Sequence, residues 1–107
     1  MNQEAYLKLL TEKEFPSPIF VVRNQGGFID TQSFPFEVLA LVLEGQIDIV
    51  VTGIKGTYLP GDTFYLAPNQ SHAQNIGSKG VKYLASCKGA VLQEELGLET
   101  LSAQESV

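Results

Sequence analysis

Short apolar segments, rich in β-branched and aromatic residues, alternate with Gly and Pro turns along most of the chain. The clearest segments are residues 19–23, 46–52, 63–67 and 81–86. Short strands at this spacing, bounded by such turns, are typical of antiparallel sandwiches and barrels. The pattern therefore predicts an all-β fold.

The two ends of the chain depart from the strand pattern. Tyr6, Leu9 and Leu10 follow a helical spacing and Pro16 blocks extension, so we predict a short N-terminal helix over residues 3–14. Residues 18–88 then form the barrel. Residues 92–107 are predicted to be a C-terminal extension, in which residues 92–101 suit one more short helix.

Composition narrows the class of protein. The 107 residues suit one domain, and a single cysteine, Cys87, excludes an internal disulfide. A net charge of −5 argues against a nucleic-acid-binding surface, which needs basic residues to attract phosphates. No apolar run is long enough to span a bilayer and no signal sequence is evident, so we expect a cytoplasmic protein without membrane contact.

The only histidine, His72, lies eleven residues after Gly61 in a segment that begins Gly61-Asp62. This segment resembles the second sequence motif of the cupin family. The resemblance implies a cupin-type antiparallel β-barrel (a jelly roll, or double-stranded β-helix). It also implies that His72 occupies a position that usually binds a metal, together with two His and one Glu from a first motif.

The first motif keeps its framing glycines, but its metal-ligand residues are replaced. Gly26 and Gly45 are in register with its two framing glycines, while the three ligand positions fall on Gln32, Phe34 and Val38. An amide, a phenyl ring and an isopropyl group do not replace two imidazoles and a carboxylate. Glu37 is one residue away from a ligand position, so strand alternation puts its carboxylate on the opposite face unless a bulge intervenes. We therefore predict no metal and no other cofactor; His72 and Glu37 are the weak candidates for a metal ligand.

If Val38 faces the interior, as the resemblance implies, then Ala40 and Val42 do too, and Leu39, Leu41 and Leu43 face outward. Two interpretations of the outward leucines remain open and are compatible. The N-terminal helix or a second layer of sheet covers them, or they form the interface of a homodimer, which is common among cupins.

His72 is either a semi-buried histidine that fixes a strand start or a polar anchor for a ligand in an apolar cleft. Gln74 lies on the same strand face two residues later, and Gln32 approaches from the first-motif strand. Phe34, Val38 and Tyr65 would complete the pocket, with the Tyr65 hydroxyl at the barrel mouth. Such a neutral cluster suits an amide, hydroxyl or carbonyl ligand.

Three functions follow from these residues. The first is a cupin barrel without the usual metal site that binds a small organic molecule, in a sensor or accessory role. The second is an isomerase- or epimerase-like enzyme that needs no metal and uses His72 as acid or base. The third is a metal-dependent oxygenase or isomerase with unusual ligands. The sequence favours the first and leaves catalysis undecided.

Overall fold

The computed structural model describes residues 1–24 and 26–89. It consists of one helix followed by six strands. These are α1 (Gln3–Glu12), β1 (Ile19–Arg23), β2 (Phe28–Gln32), β3 (Glu37–Val51), β4 (Ile54–Tyr58), β5 (Thr63–Leu66) and β6 (His72–Lys88). The antiparallel all-β fold with a short N-terminal helix is confirmed, and the predicted extension over residues 92–107 lies outside the described part of the chain.

Helix α1 is two residues shorter than predicted. It begins after Asn2, whose side-chain oxygen accepts a hydrogen bond from the Ala5 amide at 2.8 Å, satisfying one amide of the first turn. It ends at Glu12 because Glu14 adopts a left-handed backbone with φ of 62°, which a helix cannot include. Within the described ranges no helix is long and apolar enough to cross a membrane.

Two long strands, β3 and β6, form the frame of the barrel. They pair antiparallel from Glu37 opposite Lys88 to Val50 opposite Ala73. The remaining strands add to this pair, with β1 and β2 on β6 and with β4 and β5 on β3. The sequence patterns had divided each long strand into shorter segments, because a bent strand and two separate strands have the same hydrophobic pattern.

The bend lies at Gly45 and Gly80. The pairing register of β3 and β6 shifts on both sides of Gly45, and both glycines have positive φ values, 81° and 82°. A side chain at Gly45 would collide with the Gly80 carbonyl oxygen, so only glycine permits the two backbones to approach this closely. The framing glycine of the motif therefore has a physical role in closing the barrel.

Alternation along β3 separates the interior from the outer surface. Val38, Ala40 and Val42 belong to the buried interior core, which confirms their predicted direction. Leu39 and Leu41 face the other side.

The N-terminal helix covers the outer face of β3. Leu39 and Leu41 form a second buried cluster with Tyr6 and Leu10 of α1, and the half-buried Leu43 packs against it. The Tyr6 hydroxyl donates to the Leu39 carbonyl oxygen at 2.7 Å, which ties the helix to the sheet. Coverage by the chain's own helix is thus confirmed, while the homodimer stays a prediction.

Candidate ligand-binding site

His72 and Gln74 begin β6 and point to the inner face of the barrel. A turn precedes them, in which the Gln70 side-chain oxygen accepts from the Ala67 amide at 2.9 Å. Gln32 at the end of β2 is the register partner of His72. The structure therefore brings together the three polar residues that the sequence analysis had grouped.

His72 is almost fully buried, with 2% of its surface exposed. Its Nδ1 lies 3.1 Å from the carbonyl oxygen of Gln70. A carbonyl oxygen only accepts, so Nδ1 carries the proton and, in the neutral ring, Nε2 is an acceptor. No group in the described ranges bonds this buried Nε2.

Gln74 also carries a buried hydrogen-bond acceptor. It is 4% exposed, and its side-chain oxygen Oε1 is buried without a hydrogen-bond partner among the described residues. Its register partners, Ile29 of β2 and Ile49 of β3, are apolar. Burying an amide oxygen without a partner costs about 1–3 kcal/mol, so two such acceptors in one interior require an explanation.

A cavity of about 30 Å³ lies beside Gln74 in the interior. Its apolar walls include Val21, Val38, Phe34, Phe64 and Leu66. This volume is about the share of one molecule in liquid water, so only a molecule of very few atoms fits without movement.

Phe34 contacts His72 and also lines the cavity. Its ring is 5.4 Å from the His72 ring and stacks at 5.1 Å on Phe36. Phe34 belongs to the connection between β2 and β3 rather than to a strand. Phe34 is therefore the side chain that the His72 surroundings and the cavity beside Gln74 have in common.

Arg23 is a site residue that the sequence analysis missed. It follows Val21 on the inner face of β1, lines the cavity, and forms a hydrogen bond with the hydroxyl of the buried Tyr83. Burial raises the pKa of Tyr83 above its ordinary value, although the Arg23 charge acts in the opposite direction. The interior is therefore not the neutral cluster that was expected, because one wall carries a guanidinium.

Cys87 also lines the cavity. Burial raises the pKa of its thiol from 9 to about 12, so the sulfur stays protonated at neutral pH. Cys87 is therefore a small, uncharged residue of the cavity wall.

Tyr65 does not lie with the other predicted site residues. Phe64 and Leu66 face the interior core, so Tyr65 faces outward and is 50% exposed. Its hydroxyl donates to the Glu37 carboxylate at 2.7 Å, and this hydrogen bond raises the pKa of Tyr65. The expectation that Tyr65 completes the interior pocket is corrected, and Glu37 lies on the outer face as strand alternation predicted.

Comparison with known proteins agrees on the fold. No protein-family model matches the sequence, and no curated protein does. Solved structures do match: a cupin superfamily protein from Desulfitobacterium hafniense is 20% identical over 64% of this chain and 62% of that chain, with a TM-score of 0.58. The chain folds as a small cupin domain.

Other solved structures with a similar fold include an enzyme and a domain of a regulator. The DMSP lyase DddQ from Ruegeria pomeroyi is 19% identical, with 67% of this chain and 37% of that chain covered and a TM-score of 0.61. The cupin domain of an XRE family transcriptional regulator from Enterobacter cloacae is 14% identical, with 67% and 79% covered and a TM-score of 0.56. The chain thus spans about three fifths of the Desulfitobacterium protein and little more than a third of the lyase. Identities this low show a shared fold and leave the function to the site.

The residues of this cupin domain do not fit the metal that the fold family implies. At the ligand positions, Phe34 presents its ring to His72 and Val38 contributes an apolar wall. Within residues 1–24 and 26–89, no group of three or more His, Cys, Asp or Glu side chains is placed to hold a metal ion. A lone imidazole beside a neutral amide is a poor donor set for a divalent transition metal.

The arrangement also lacks an acid–base pair. Over the described ranges the His72 ring forms one hydrogen bond, to the Gln70 carbonyl, and none to a carboxylate or a tyrosine hydroxyl. A histidine that acts as a base in proton transfer is usually oriented by such a group, and a second group supplies the acid. What the geometry presents is two buried hydrogen-bond acceptors, His72 Nε2 and Gln74 Oε1, without partners in the described ranges.

Proposed function

We propose that this cupin domain binds a small organic molecule inside its barrel without a metal, in a sensor or accessory role. The observation that carries the proposal is the pair of buried acceptors, His72 Nε2 and Gln74 Oε1, without partners among the described residues. A protein interior rarely keeps two such atoms unless a ligand or a bound water satisfies them.

The chemistry of the walls defines the ligand. Gln74 and His72 require hydrogen-bond donors, whereas Arg23 on the cavity wall donates only. A primary amide, or a small molecule with a hydroxyl beside a carbonyl, has both donor and acceptor in few atoms. The apolar remainder of the wall favours a compact, uncharged body.

Size restricts the ligand further. A cavity of about 30 Å³ holds a few atoms at most. We propose that a larger molecule enters when the Phe34 ring, which lines the cavity and contacts His72, changes position. Phe34 is half-buried on a connection between strands, where a ring can change rotamer without breaking a strand pairing. We therefore expect binding to change the surroundings of Phe34 as well as those of Gln74.

A pair of matched amides tests this proposal. Titration of ¹⁵N-labelled protein with acetamide should produce saturable shifts of backbone amides in residues 72–76, and N,N-dimethylacetamide, which lacks the N–H donors, should not. Gln74→Leu should weaken the acetamide response, while Gln46→Leu, at an exposed amide outside the cavity, should leave it unchanged. Equal responses to both amides, or no saturable shift with either, would overturn the proposal.

A further inference from the structure

A second concave surface lies outside the barrel, where β3 and β6 bend past one another. It is a groove of about 590 Å³ between the end of β1 and the bend, and it is separate from the interior site except at Arg23. Grooves of this volume are typical of sites for small organic ligands. Its walls include Arg23, Asn24, Glu44, Lys79 and Lys82.

The charge of this groove is opposite to that of the chain. Three of the seven Lys and Arg residues line it, together with one carboxylate, whereas the whole chain carries −5. Cations gathered in a concave surface produce a local positive potential that raises the concentration of anions there. The arrangement is unusual for an acidic protein.

The internal ion pair does not cancel that potential. Lys82 Nζ lies 3.3 Å from Glu44 Oε1, but the two side chains are 47% and 68% exposed. An exposed pair of this kind is weak and readily exchanges partners. A ligand anion can therefore compete with Glu44 for Lys82, and Lys79 adds a further positive charge beside it.

Arg23 gives the groove a rigid component. Its side chain is half-buried, and its hydrogen bond to the buried Tyr83 hydroxyl restricts the position of the guanidinium. A guanidinium offers five N–H donors in a planar fork that suits carboxylate and phosphate oxygens. The groove thus combines a half-buried arginine with two exposed lysines, Lys79 and Lys82, and these three cations suit an oxyanion.

We propose that this groove binds a small organic anion, with Arg23, Lys79 and Lys82 contacting its carboxylate or phosphate group. Arg23 is shared with the interior site, whereas Lys79 and Lys82 line the groove alone, so these two lysines distinguish the two sites. Both oxyanions share the required chemistry, and the experiment separates them.

Titration of the labelled protein at low ionic strength tests the groove. Inorganic phosphate and citrate are the two probes, and glycerol is the uncharged control. At least one anion should cause saturable shifts of the amides of residues 79–82, and glycerol should not. The double variant Lys79→Ala/Lys82→Ala should weaken binding roughly tenfold or more, because it removes two of the three cations.

Lys55→Ala is the matched charge control, since Lys55 is exposed on β4 outside the groove. Lys55→Ala should change the affinity for the anion by no more than roughly twofold, because a single charge acting through water from outside the groove contributes little. The proposal is overturned if neither anion gives saturable shifts, if glycerol shifts the same amides, or if Lys55→Ala weakens binding as much as the double variant. Gln74→Leu should not affect the anion response, so failure of the interior site and failure of the groove are distinguishable.

Discussion

Replacing Gln74 by Leu should make the protein more stable and less able to bind its ligand. The side-chain oxygen of Gln74 is buried without a partner in the described structure, and its neighbours Ile29 and Ile49 are apolar. Leu has a similar volume and no polar atom to desolvate. The substitution therefore removes a cost and introduces no new buried polar group.

The expected change in the free energy of unfolding follows from the free-energy cost of burying an unsatisfied acceptor. Such a group costs about 1–3 kcal/mol, and a water molecule bound in the 30 Å³ cavity would recover part of it. We expect the free energy of unfolding of Gln74→Leu to rise by about 1–2 kcal/mol. For a domain near this length, that corresponds to a rise in Tm of roughly 4–8 °C per kcal/mol.

Urea denaturation followed by circular dichroism measures this change. The midpoint should rise while the slope with denaturant stays constant, since the surface exposed on unfolding is nearly the same. Gln46→Leu, at an exposed position, should change stability by no more than about 0.5 kcal/mol. If Gln74→Leu instead lowers stability by more than about 1 kcal/mol, the amide is part of a satisfied structural network and the argument from buried acceptors is refuted.

Three further predictions concern the rest of the fold. Tyr6→Phe removes the hydrogen bond from the hydroxyl to the Leu39 carbonyl and should lower the free energy of unfolding by about 0.5–1.5 kcal/mol in urea denaturation; no change would mean that the bond does not hold α1 to the sheet. Burial raises the pKa of Cys87 from 9 to about 12, so the folded state holds the thiol proton more tightly than the unfolded state does. Its stabilising contribution is complete below pH 9 and is lost as the pH rises through 12, with a slope of at most about 1.4 kcal/mol per pH unit. Cys87→Ala should flatten the fall of stability in this window, and an unchanged slope would contradict the burial argument. Finally, the side chains of Phe20 and Val22 are 51% and 39% exposed on the outer face of β1. We propose that these two side chains form part of the interface of a homodimer. Light scattering should then show a dimer that Phe20→Glu converts to a monomer, and a monomeric wild-type protein would exclude it.

The barrel could be predicted from the sequence because its signals are local. The spacing from Gly61 to His72 and the glycine at position 45 indicated the cupin fold, and the fold is confirmed. The apolar residues of β3 could be divided into two faces once Val38 was placed inside. Coverage of Leu39 by the helix was one of the two interpretations that this division left open, and the structure confirms it.

The composition of the pocket was harder to predict. Arg23 shares a strand face with Val21, but the opposite face of β1 carries Phe20 and Val22, so the pattern did not distinguish inside from outside. For Tyr65 a signal was available, since apolar Phe64 and Leu66 alternate with it and indicate that it faces outward.

Tertiary features decided the remaining points. The bend at Gly45 depends on its contact with Gly80, thirty-five positions later, and no local pattern encodes such a contact. The contact of Phe34 with His72 and its place in the cavity wall likewise depend on residues from separate segments. The sequence predicted that Phe34 and His72 share one pocket, but it did not predict their positions relative to one another.

The central claim is that this cupin interior recognises its ligand through hydrogen bonds rather than through a metal. Elemental analysis of purified protein, incubated with manganese, iron, nickel and zinc salts and then desalted, tests it most directly. We predict metal contents well below one ion per chain, with no difference between the wild type and His72→Ala. One tightly held ion per chain in the wild type that is lost in His72→Ala would contradict the account.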